Sequence, residues 1–105
     1  MVLIMVTAWF PPNKSMEVAK KHFEIAQEFP RQSFEKLFIG GARATRNGIK
    51  DIMIVEVEKG KLEEALNLTA RRLMEYFGIE GYRVEVETLV TLEEGLSLLG
   101  LAPHK

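Results

Sequence analysis

Leu37-Phe38-Ile39-Gly40-Gly41-Ala42-Arg43-Ala44-Thr45-Arg46-Asn47-Gly48-Ile49-Lys50-Asp51-Ile52-Met53-Ile54-Val55-Glu56-Val57-Glu58 is an uninterrupted run of strand-forming residues around one turn signal. Asn47-Gly48 is the favoured dipeptide for a two-residue type I′ turn, in which both positions take positive φ. With Glu35 at its start, the segment is expected to fold as two antiparallel strands. If Arg46 pairs with Ile49, one side of the ribbon carries Phe38 with Val57, Gly40 with Val55, Ala42 with Met53 and Ala44 with Asp51. The other side carries Ile39 with Glu56, Gly41 with Ile54, Arg43 with Ile52 and Thr45 with Lys50. Side chains alternate across a strand, so these are two separate surfaces. The first is nearly all apolar and reads as the core face; the second is mixed.

Upstream, Val2 to Phe10 is β-branched and aromatic without helical periodicity, which predicts a buried strand ended by Pro11-Pro12. Asn13 or Ser15 is then placed to cap a helix, with Glu17 in its first turn. Val18, Ala19, His22, Phe23, Ile25, Ala26 and Phe29 share one helical stripe, and Pro30 stops it. Downstream of Gly60, Leu62, Ala65, Leu66, Thr69, Leu73, Tyr76 and Phe77 form the inner face of a second helix. Glu63, Glu64, Arg71, Arg72 and Glu75 form its solvated side, and Gly78 is placed to terminate it in the left-handed region. Tyr82 to Val90 alternates as a half-buried strand, with Tyr82, Val84, Val86, Thr88 and Val90 on one face. Thr91-Leu92-Glu93-Glu94 matches a capping box and opens a short leucine-rich helix to about Leu99. Pro103, His104 and Lys105 read as a frayed tail, and His104 has no partner there.

The chain of 105 residues reads as one domain, 1–105, long enough to bury roughly two thirds of its unfolded surface. With no cysteine, disulfides, thiolate metal sites and CxxC redox chemistry are excluded. The net charge of −1, with acids and bases interspersed, gives no reason to expect nucleic acid or an acidic membrane as partner. The apolar start Val2-Leu3-Ile4-Met5-Val6 is too short to span a bilayer and lacks a basic leader. A soluble cytoplasmic protein is the expectation.

The element order β-α-β-β-α-β, with right-handed crossovers, gives an α+β ferredoxin-like sandwich. Four antiparallel strands in the order 4-1-3-2 carry two helices on one face, and a short C-terminal helix follows. The other face exposes Ile39, Ile52, Ile54 and Leu89 beside Arg43, Glu56, Arg83, Glu85 and Glu87. That mixture is too apolar for a monomer surface and too charged for a core, so two sheets packed face to face would cover it. In element order and patterning, including the capping-box helix after the last strand, the chain resembles the dimeric α+β barrel superfamily. The resemblance implies a homodimer whose sheets form a barrel. The superfamily includes cofactor-independent monooxygenases, small isomerases, polyketide cyclases, haem enzymes, ligand-sensing regulatory domains and proteins of unknown role.

Other users of this topology fit less well. An RNA-recognition motif needs stacking aromatics where this chain has Asp51-Ile52-Met53-Ile54-Val55-Glu56. A heavy-metal carrier needs a cysteine pair, and a PII-like regulator needs a long loop where Asn47-Gly48 stands. An ACT domain looks for an Asp-x-x-Gly-type turn where the chain has Phe10-Pro11-Pro12-Asn13.

His22 stands out as the candidate catalytic residue. It lies mid-stripe on the first helix, above Gly40 and Ala42 and near Met53 and Val55. Small residues there leave room for a ligand, or for the helix to come close. An imidazole facing a gap suits a general base or a haem ligand; the favoured alternative is a packed core histidine satisfied by a carbonyl or Tyr82, with Gly40-Gly41 as a bulge. Trp9, Gly40, Ala42, Met53 and Tyr82 are the ligand-binding candidates. Arg43, Glu56, Glu85 and Glu87 read as structural ion pairs of a dimer barrel rather than an anion or metal site. Two functions remain open. The first is a non-catalytic homodimeric module for assembly or for a small apolar ligand, without metal or cofactor. The second is a small cofactor-free or haem-binding enzyme using His22.

Overall fold

The computed structural model of the chain describes residues 2–101, so the expectations for Pro103, His104 and Lys105 lie outside the described residues. β1 (Val2–Phe10) leads through a 3-10 turn (Pro12–Lys14) into α1 (Ser15–Glu28). β2 (Glu35–Thr45), β3 (Gly48–Val57), α2 (Leu62–Met74), β4 (Arg83–Val90) and α3 (Leu92–Leu98) follow. The fold is α+β, built on one four-stranded antiparallel sheet in the order β2-β3-β1-β4.

The core follows from the pleat. Ile4 and Val6 of β1 lie beside Val55 and Met53 of β3 and beside Thr88 and Val86 of β4. Alternation sends these side chains to one face. Val18 and Ile25 of α1 and Ala65 and Leu73 of α2 join Ile4, Val6, Val55 and Val57 in one core cluster. On the opposite face Leu3, Met5, Thr7 and Trp9 of β1 sit between Glu56, Ile54, Ile52 and Lys50 of β3 and Leu89, Glu87, Glu85 and Arg83 of β4. No element of the described chain covers that side. The radius of gyration, 15.5 Å, exceeds the roughly 13 Å of a compact chain this long. The principal extents of 48 × 32 × 18 Å describe a thin plate. No helix among the described residues is long and apolar enough to cross a membrane.

The hairpin exists, with a different turn and register. Thr45 pairs with Gly48, Ala44 with Ile49, Ala42 with Asp51 and Gly40 with Met53. This is a slip of two residues from the expected Arg46–Ile49 pairing. Arg46 and Asn47 now form the turn, and Asn47 does not take positive φ; only Gly48 does, at +124°. The reason is local. Thr45 Oγ1 accepts from the Asn47 amide at 3.2 Å and donates to the Gly48 carbonyl at 2.7 Å, stabilising a turn one residue earlier. An even slip preserves the faces, so Gly40 and Ala42 stay on the core side. The irregularity falls between Leu37 and Ile39 rather than at Gly40-Gly41, and past it Leu37 and Glu35 take the core side opposite Val55 and Val57. Phe38, expected in the core, is 61% exposed.

The helices also depart in detail. α1 starts at Ser15 with no side-chain cap, because Ser15 Oγ donates instead to the Pro12 carbonyl at 2.7 Å. Only Val18 and Ile25 of its stripe are buried, while His22, Phe23, Ala19 and Ala26 are exposed. α2 ends at Met74, Phe77 is exposed, and the left-handed glycine is Gly81 rather than Gly78. Thr91 caps α3 by accepting from the Glu94 amide at 3.1 Å. No α3 residue is buried, and Leu92, Leu98 and Leu99 all face solvent.

Candidate functional site

The space between α1 and the sheet is the site. Two adjoining clefts, ≈ 190 and ≈ 480 Å³, share Val6, His22, Arg31, Met53, Leu73 and Tyr76. The larger exists because β2 presents Gly40 to it, without a side chain to fill the gap. A Cβ on Gly40 would meet only the Ile52 carbonyl and Leu37 Cδ1, both at 4.0 Å. Gly40 thus marks empty space, not a close helix approach. His22 overhangs that space with its ring edge-on to Phe23, 6.0 Å between centroids. It is therefore not the packed core histidine that its place in the stripe suggests.

Of the candidates read from sequence, His22, Gly40, Met53 and Tyr82 border the larger cleft together. Ala42 and Trp9 do not. Ala42, though on the core side by register, lines instead a shallow hollow along β2 and β3 with Ile39, Gly40, Ile52 and Ile54. Trp9 belongs to a separate recess beside the hairpin turn, with Lys50 Nζ 6.0 Å from its ring centroid.

Three further cleft residues were not singled out from sequence: Asp51, Tyr76 and Arg31. Asp51 carried a signal, an acid on an otherwise apolar strand face. It is half-buried, and burial pushes its carboxyl above the usual range, partly offset by the charge of His22 across the cleft. Tyr76 and Tyr82 stack at 4.6 Å, and Phe10 extends the stack beyond Tyr82 at 6.2 Å. Burial, then the negative charge of Asp51, pushes the Tyr76 hydroxyl up to about 12. Tyr82 is raised further by burial, then by Tyr76 and Asp51. Both phenols remain protonated at neutral pH, and both residues border the cleft. Arg31, at the Met53 end, donates weakly to Met53 Sδ at 3.7 Å. The cleft therefore combines apolar walls with a carboxylate, two phenols and an imidazole. Among the described residues no three His, Asp or Glu side chains gather as metal ligands would.

Beneath it lies a fixed scaffold that the sequence also hid. Arg72, expected on the solvated side of α2, donates from Nη1 to Glu35 Oε2 at 2.7 Å and from Nη2 to Glu35 Oε1 at 2.8 Å. It further donates to the carbonyls of Phe29 and Pro30, both at 3.0 Å. This bidentate pair locks α2 to the α1–β2 connection and holds one wall of the cleft.

The raised Asp51 carboxyl has a stability consequence. Because the folded value exceeds the unfolded one, its contribution is fully present below the ordinary carboxylate value and is lost as pH rises through the raised value. Asp51→Asn is therefore expected to raise the melting temperature at pH 7 and to change it little near pH 3. A variant no more stable at neutral pH, by thermal melting across that range, contradicts this placement.

No family model matches the chain, and no curated protein matches it. Among solved structures it is similar to the de novo designed protein Foldit4, at 16% identity and TM-score 0.58, over 86% of this chain and 96% of that one. It is also similar to PelD 158-CT of Pseudomonas aeruginosa, at 11% identity and TM-score 0.53, covering 94% of this chain and 36% of that chain. A formyltetrahydrofolate deformylase of Pseudomonas putida overlaps at TM-score 0.46 and 13% identity, the match covering 28% of its length. The chain thus spans about a third of the two bacterial proteins. At these identities the likeness is one of fold alone.

Proposed function

We propose that this protein is a homodimeric small-molecule-binding module of the ferredoxin-like, dimeric α+β barrel kind, with its ligand held beneath α1. The observation that carries the reading is the cleft itself, a largely apolar space bordered by Asp51, Tyr76 and Tyr82. Concave sites with apolar walls and a few convergent polar groups are where small ligands bind. A packed core would have been filled by a larger residue than Gly40.

Self-association is supported by the uncovered face. Its centre is apolar, with Leu3, Met5, Ile52 and Ile54 on neighbouring strands. Its two edges differ in charge balance: Lys36, Arg43 and Lys50 outnumber Glu56 on the β2–β3 side, while Glu85 and Glu87 outnumber Arg83 on β4. A two-fold axis between the stacked faces and along the strands sets the more basic edge of one copy against the more acidic edge of the other. Light scattering at micromolar concentration should then give at least twice 12.0 kDa. A clean monomer removes the dimer from this reading and leaves the cleft. Conversely, a dimer whose cleft amides at Gly40 and Met53 ignore every small aromatic fragment in NMR titrations keeps the assembly and removes the ligand.

A second reading, acid–base catalysis, rests on His22 facing Asp51 across the same cleft. A base opposed to a carboxylate beside protonated phenols is the beginning of such a site. It is second because no hydrogen bond among the described residues orients His22, and the one serine bordering the cleft, Ser15, donates its hydroxyl to the Pro12 carbonyl rather than to His22.

A further inference from the structure

We infer that the cleft selects a small organic amine in its cationic form, with Asp51 as counter-ion and the Phe10–Tyr82–Tyr76 wall against the amine's hydrocarbon body. The inference rests on the cleft being a ligand site.

Asp51 is the anion of this space. It stands on β3 opposite Ala42 and Ala8, whose side chains offer no donor. Among the described residues no hydrogen bond reaches its carboxylate and no cation lies within ion-pair distance; His22 acts on it only across the gap. A half-buried carboxylate without a donor carries a desolvation cost that a bound cation offsets directly. Glu35, the other acid bordering the smaller cleft, is already held by Arg72 and is not free for a ligand.

The walls favour an amine over an inorganic cation. Phe10, Tyr82 and Tyr76 form a continuous aromatic stack along the cleft, and Phe23 borders it as well. Aromatic surface attracts organic ammonium groups and accepts the hydrocarbon attached to them. A single carboxylate, by contrast, is too few ligands for a hard metal ion. The volume of ≈ 480 Å³ suits a ligand of one ring or a short chain. Arg31, the opposing charge, borders the cleft beside Met53, whose Cα stands two residues, about 7 Å, along β3 from that of Asp51. It directs the ammonium to the Asp51 end.

The test compares three probes of one shape and different charge, benzylamine, benzyl alcohol and phenylacetate, titrated at pH 7 and followed by amide shifts at Gly40, Met53 and Tyr82. Benzylamine is expected to bind about tenfold or more tighter than benzyl alcohol, since a charge-assisted hydrogen bond is added. Phenylacetate should bind weakest. Asp51→Asn should erase the amine's advantage while leaving the alcohol unchanged, and its melting curve verifies that it folds. Equal binding of alcohol and amine, tighter binding of phenylacetate, or an amine preference that survives Asp51→Asn overturns the inference while leaving a ligand cleft in place. If none of the three moves the cleft signals at millimolar concentration, the cleft reading itself falls.

Discussion

Arg72→Ala is expected to destabilise the fold by about 3–5 kcal/mol, the usual cost of removing one partner from a buried ion pair. The Glu35 side chain is 1% exposed and the Arg72 side chain 15%, so solvent cannot replace the lost guanidinium. The substitution also strands the Phe29 carbonyl and removes one of two donors to the Pro30 carbonyl, freeing the end of α1 from α2. Against a typical stability of about 5–15 kcal/mol this is a large fraction of the whole. Arg72→Lys should recover only part of the loss, because an ammonium cannot hold both oxygens and two carbonyls at once. The double variant Arg72→Met, Glu35→Leu should be much less damaged than Arg72→Ala, since no charge is left buried. Chemical denaturation measures all three; an Arg72→Ala midpoint near wild type would mean that the pair fastens nothing.

The same pair sets an acid limit. Burial alone would raise the Glu35 carboxyl, but hydrogen bonds from Arg72 and the Gln32 amide, with the charges of Arg72 and Arg31, outweigh it and hold it below the ordinary value. A depressed folded value means that this stabilisation is present above the unfolded carboxylate value and is lost as pH falls through the folded one. Asp51 has the opposite sign, so the two acids of this region respond to pH in opposite directions.

The second large effect is expected at Gly48. Its φ of +124° lies where side chains are strained, and a Cβ there would stand 2.7 Å from the Phe10 carbonyl oxygen, which is backbone and cannot move aside. Gly48→Val should cost about 3 kcal/mol or more, combining backbone strain with a collision between the hairpin turn and the end of β1. Because the collision is at Cβ, Gly48→Ala should already show most of the loss. Asn47→Ala should be nearly neutral, since Asn47 does not take positive φ and contributes its backbone amide rather than its side chain. A type I′ turn would reverse that second result. Thermal melts of the three variants distinguish the two turns.

Element identity was legible in the residues because it depends on local properties. The alternation of Val2 to Phe10, the hairpin signal at Asn47-Gly48, the apolar stripes of α1 and α2 and the Thr91 capping box each act within a few residues. The strand order followed from the crossover rule, which depends only on element sequence and handedness. Long-range geometry was not legible. Asn47-Gly48 announced a turn, but Thr45 Oγ1 moved it by one residue, and the irregularity at Leu37/Ile39 exchanged Phe38 for Leu37 and Glu35 on the core side. The partnership of Glu35 with Arg72 joins positions far apart in the chain, and periodicity had assigned Arg72 to water. His22 occupies a core position on the helical wheel, yet what it meets depends on whether β2 supplies a side chain opposite. β2 supplies Gly40, and the space stays open. Sequence determined which surfaces exist because local patterning encodes them; only the tertiary structure decided which of them meet, because that rests on register, distance and the volume left between elements.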